Sequence, residues 1–135
     1  MSKKATGFFL SVEGELKSVG AGKRVAVIVR NSPFNTLKSV EAFRMSIGLT
    51  LEGNQVDLLL MEAGVYNALP SVSTTIKRPD MNQFIDTMEL CGIGVYLESE
   101  ALPLPLHSKI RPQMTKKSRK ELMEMIHRAD VVIPF

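Results

Sequence analysis

The sequence predicts a single α/β domain: a doubly wound, mostly parallel sheet of four to five strands with helices on both faces. Three observations lead there. The runs Arg24–Arg30 and Gln55–Met61 are too uniformly aliphatic for half-exposed strands and read as strands covered on both sides. After the first of them the apolar residues switch to helical spacing, at Val40, Phe43, Ile47 and Leu51. Strand–helix alternation of this kind implies right-handed crossovers and a layered sheet.

At 135 residues the chain has the size of one domain with one buried core. Its composition, 44% hydrophobic and 23% charged, is that of an ordinary globular protein, and no apolar run nears the roughly 18 residues of a membrane span. The apolar stretch Gly7-Phe8-Phe9-Leu10 is too short for a signal peptide, so the expected compartment is the cytoplasm. A net charge of +3 with no tryptophan offers no stacking array for nucleic acid. One cysteine excludes an internal disulfide, and no cysteine–histidine cluster calls for a metal, so no cofactor is expected.

Taken in order, residues 1–22 form an arm, with an alternating edge strand at 7–12, ahead of the α/β domain at 23–135. After the first strand, the turn Asn31–Thr36 contains Pro33, which bars helix before it. The helix that follows runs to about Glu52 and stops at Gly53-Asn54. The second strand, Gln55–Met61, leads into a short helix at Glu62–Leu69, and a polar loop follows at 71–78. Asp80 caps a helix over Met81–Leu90, Gly92 stops it, and Ile93–Leu97 is the third strand. Residues 99–117 carry three prolines and read as a long irregular connection of the kind that serves function or an interface. Ser118 and Glu121 form a capping box for a helix through Arg128, and Val131–Ile133 is the final strand.

Four places offer chemistry. The turn Ser32–Ser39 precedes a helix N-terminus and could present Ser32, Asn35, Thr36 and Ser39 to an anion, but no glycine-rich phosphate motif is present and the preferred reading is that Asn35 or Thr36 merely caps the helix. Cys91 is the lone thiol, but it falls at a helix C-terminus, where the dipole disfavours a thiolate. Glu98 stands at a strand exit, where a carboxylate can act as acid, base or ligand. The segment Lys109–Lys120 holds six Lys or Arg and no acidic residue; Lys109, Arg111, Lys116 and Lys117 are the candidates for contacting an acidic partner. His107 and His127 have no ligand set or triad around them, and His127 suits the end of a helix.

In their order and spacing these segments resemble the DsrE/DsrF/TusC-like family of small sulfur-relay proteins, over residues 24–135. Arg24–Arg30 followed by Ser32-Pro33-Phe34-Asn35-Thr36 is similar to the family's first strand and its Ser-x-Pro-Tyr/Phe-Gly-Thr turn, most like the DsrF/TusC branch. Gly64-Val65-Tyr66-x-x-Leu69 resembles its Asp-Gly-Val-Phe-x-x-Leu segment, Cys91–Tyr96 the approach to its third strand, and Ala129–Phe135 its chain end. The resemblance implies a DsrE-like α/β domain with flavodoxin-like layering that assembles into trimers or hexamers. In active members a cysteine at the end of the third strand carries persulfide sulfur between partners. Here that position is Glu98, which has no sulfur to offer. Cys91 does not replace it, because the strand between them spans about 16 Å at roughly 3.3 Å per residue.

The expected function is therefore a scaffold or partner-binding subunit in sulfur relay, rather than an enzyme. Its expected partners are further copies of itself or related subunits, and a sulfur-carrier protein, with neither nucleic acid nor membrane. The alternatives are a sulfurtransferase using Cys91 and a binder of a small phosphorylated ligand or flavin at the first turn.

Overall fold

In the computed structural model, residues 22–33, 38–69 and 81–135 are described. Strand β1 (Arg24–Val29) is followed by helix α1 (Lys38–Leu51), strand β2 (Gln55–Leu60) and a 3-10 helix at Glu62–Ala68. Helix α2 (Met81–Leu90) and strand β3 (Gly94–Glu98) come next. Two short 3-10 helices then lead to β4 (Met114–Lys117), helix α3 (Arg119–Arg128) and β5 (Val131–Pro134). The expected edge strand at 7–12, Asn35 and Thr36 of the first turn, the loop at 71–78 and the Asp80 cap lie outside the described residues.

The strands form one sheet in the order β4-β3-β2-β1-β5, and every pairing is parallel. The α/β class, the parallel sheet and the covering helices are as the sequence predicts. One element differs. The connection expected to be irregular through residue 117 contains β4, a four-residue strand paired with β3.

Side chains alternate across the strands and divide the interior in two. Val25, Val27, Val29, Leu58, Leu60, Val95 and Leu97 point to one face and meet Phe43 of α1 with Ile85 and Met88 of α2. Ala26, Ile28, Leu59 and Met61 point to the other and meet Leu122 of α3. The division follows from the strand order. Strands β1 to β4 step one way across the sheet and β5 returns to the far side of β1, so a right-handed return must cross the opposite face. Helix α3 makes that return.

The helix stops form as the glycines suggest. Gly53 and Gly92 adopt φ of 94° and 77°, a left-handed turn open to glycine at little cost. Beside Gly53, the buried Asn54 donates from Nδ2 to the Leu49 carbonyl at 3.0 Å and accepts the Lys23 N–H at 3.2 Å. That pair ties the end of α1 to the start of β1.

Candidate functional site

In an open parallel sheet, a crevice forms where successive connections leave to opposite faces, at the carboxyl ends of the strands. Here β3 continues on the α1/α2 face, since Leu102 and Leu106 after it join that core, whereas β4 continues into α3 on the other. Glu98 and Lys117, paired in the β3–β4 register, close the two strands at that point.

Glu98 is only 4% exposed. Its Oε1 accepts the backbone N–H of Glu62 at 2.9 Å, and its Oε2 accepts Arg119 Nη1 at 3.0 Å. Three elements meet on this carboxylate: the end of β3, the exit of β2 and the first turn of α3. Glu62 carries a φ of 53°, a left-handed conformation that costs a non-glycine residue about 1 kcal/mol, and the Glu98 bond holds it there. Arg119 is anchored a second time, its own N–H donating to Glu100 Oε1 at 3.0 Å. The hydrogen bond that Arg119 donates to Glu98, reinforced by the charges of Glu98, Glu62 and Glu100, pushes the guanidinium above its ordinary range, so it stays charged. Ser118 completes the turn as N-cap, with both bonds of the capping box to Glu121 formed. Each Glu98 oxygen holds a donor, so the carboxylate locks the edge together.

The other expected residues scatter. Cys91 is half-buried at the turn after α2, its N–H donating to Thr87 O at 2.9 Å, at the amino end of β3 and away from Glu98. Of the first-turn group, Ser39 is fully buried and donates from Oγ to Asn31 O at 3.3 Å. The same carbonyl accepts Asn67 Nδ2 at 3.1 Å, so hydroxyl and amide here brace the chain. Ser32 is half-buried beside them, and Asn35 and Thr36 are outside the described residues. In the basic segment Lys109 and Lys116 are exposed. Lys117 lies with Nζ 5.8 Å from the centre of the Tyr96 ring. Arg111 is buried, its guanidinium donating to Asn82 Oδ1 and its N–H to Ala68 O. His107 meets the Leu102 carbonyl at 2.9 Å through Nε2, inside its own loop.

Sequence reasoning missed the Glu62 and Arg119 contacts and a polar cleft on the α3 face, lined by Arg24, Asp57, Tyr96 and Arg128 among others. One signal was present: Asp57 is the sole charged residue within the β2 run. No helix among the described residues is long and apolar enough to cross a membrane.

Comparison with known proteins agrees with this fold. The DsrE/DsrF-like family matches residues 23–135. The fold is similar to the crystal structure of the ychN protein from E. coli, with a TM-score of 0.67 and 16% sequence identity, covering 84% of this chain and 99% of that one. An identity that low speaks for the fold alone. No curated protein matches the chain.

Proposed function

The chain belongs to the DsrE/DsrF-like family, and on that premise we propose that it is a structural or partner-binding subunit in sulfur relay, with no sulfur-carrying step of its own. Membership suggests a role related to sulfur metabolism. The observation that carries the finer reading is Glu98: it takes the end of β3, where the resemblance puts the reactive cysteine, and both its oxygens are engaged. A carboxylate cannot hold a persulfide, and this one is committed to Arg119 and the Glu62 amide. In this reading the protein assembles with copies of itself or with related subunits of the DsrF/TusC kind. It works in the cytoplasm, and the exposed Lys109 and Lys116 face a sulfur-carrier partner.

The test is intact-protein mass spectrometry after incubation with a persulfide donor. The wild-type chain is expected to gain no sulfur on Cys91, whereas Glu98→Cys is expected to gain it. A thiol at that position lies beside Arg119 and the first turn of α3, and both lower a thiol pKa. Sulfur on Cys91 of the wild type overturns the reading in favour of a sulfurtransferase. A Glu98→Cys variant that folds and stays unloaded removes the assignment of position 98. Light scattering adds an independent check, since a stable monomer contradicts the subunit role.

A further inference from the structure

A cleft of about 340 Å³ opens between the sheet and α3, running from Arg24 and Gln55 at the strand starts to Lys117 and Glu121 beside the Glu98 lock, without Glu98 itself in its lining. Its floor follows from register: Ala26 pairs with Asp57, and Asp57 pairs with Gly94. The carboxylate therefore stands between the two smallest side chains the sheet can offer. Tyr96 folds back into the space left at Gly94, its hydroxyl 2.7 Å from where a Cβ would stand.

Asp57 is half-buried, and among the described residues no hydrogen bond or close ion pair reaches its carboxylate, although Arg24 and Arg128 act on it through their charge. Burial pushes its pKa above the ordinary value, while Arg24 and Arg128 pull against that shift. The carboxylate is partly desolvated and opens onto the cleft, so its hydrogen-bond donors must come from whatever occupies that space, water or a ligand. Leu59 and Met61, facing the same way along the same strand, are simply apolar and buried.

The wall is α3, whose residues 121, 124, 125 and 128 recur at helical spacing along the cleft. Glu121 already serves the cap, accepting the Ser118 N–H at 2.9 Å. Arg128 closes α3 at the end where Arg24 opens β1, so two guanidiniums flank one end of the floor. Tyr96 and Met125 supply apolar surface beside them. Three acidic and three basic side chains line the space, a balance with no net charge to draw in a polyanion and one that suits a ligand carrying both charges.

We propose that this cleft binds a small zwitterion, an amino acid or dipeptide whose ammonium group meets Asp57 and whose carboxylate meets Arg24 and Arg128. Guanidinium recognition of the carboxylate is the bidentate geometry arginine favours, and the ammonium provides the donors that Asp57 lacks. The site stands independently of the sulfur-relay reading, because it uses neither Glu98 nor Cys91.

The twenty free amino acids and a set of dipeptides, screened against the full-length protein by saturation-transfer NMR and titrated by calorimetry, test this. At least one is expected to bind saturably, with Asp57→Asn and Arg128→Gln each weakening it about tenfold or more, the scale of one charge-assisted hydrogen bond. Cys91→Ser is expected to leave affinity unchanged. Arg128 is exposed at a helix end, so that variant decides the matter even if Asp57→Asn fails to fold. Absence of saturable binding across the panel overturns the proposal, as does binding that either folded variant leaves intact.

Discussion

The two faces of the sheet do different work. Toward α1 and α2 the strands present valines and leucines in a continuous apolar cluster, joined by Val65 and Ala68 of the 3-10 helix after β2. Toward α3 they present only Ala26, Ile28, Leu59 and Met61 as buried apolar residues, together with Asp57, Tyr96 and Glu98. Among the described residues one helix covers that side, whereas α1, α2 and the 3-10 helix after β2 cover the other. The continuous apolar cluster lies on the first face, and polar side chains collect on the second.

The contrast breaks most sharply at Gly64. A Cβ there would stand 2.0 Å from the Val29 carbonyl oxygen, a backbone atom at the end of β1. Nothing flexible can yield, so Gly64→Ala is expected to cost about 3 kcal/mol or more, beyond ordinary overpacking. Urea denaturation followed by circular dichroism reads it. A variant within about 1 kcal/mol of wild type shows that the 3-10 helix is loosely docked and that the first face is less rigid than its packing implies.

A paired comparison sharpens the same point. Phe43 and Leu122 are both fully buried, one under α1 in the larger cluster and the other as the anchor of α3. Phe43→Ala is expected to cost about 4 kcal/mol and Leu122→Ala about 2–3 kcal/mol, because the thinner layer over Leu122 can settle into the space left behind. Hydrogen exchange distinguishes the two further. Leu122→Ala is expected to loosen α3 first, while Phe43→Ala lowers protection throughout. Equal losses with uniform exchange would mean that both faces are equally tight.

The first face was legible in the chain, whereas on the second only the helix was legible and its polar floor was not, for physical reasons. Buried parallel strands such as Val25–Val29 need aliphatic residues at every position, a pattern visible without a structure. A helix such as α3 announces itself through Ser118 and Glu121, whose bonds span three residues. Strand β4 has no such signature. Met114-Thr115-Lys116-Lys117 is short and half charged, and it is a strand only because β3 lies beside it. Glu98 and Arg119 are 21 residues apart, and the crossover direction brings them together. The cleft floor is a matter of register, with Ala26, Asp57 and Gly94 drawn from three separate strands. Local pattern carries helices and buried strands, whereas a site assembled across strands needs the pairing itself.

Asp57 gives the smallest expected effect and the most discriminating one. Desolvation raises its folded pKa above the ordinary 3.8, against the pull of Arg24 and Arg128, so the folded chain holds that proton more tightly than the unfolded chain does. Its contribution to stability is then complete below the unfolded pKa and is lost as pH rises through the folded one. Asp57→Asn removes this dependence. At pH 7 the variant is expected to be slightly more stable than wild type, within the roughly 0.5 kcal/mol usual for substitutions outside the core, and the gain should vanish as pH falls below about 4. Thermal melts across that range measure it. A residue whose removal stabilises the fold while weakening a ligand is the mark of a binding site, since stability is commonly given up where function needs a charge. If Asp57→Asn is instead less stable at neutral pH, the two arginines outweigh burial. Asp57 then belongs to the scaffold, as Glu98 does, and the second face is held by its charges as the first is by its valines.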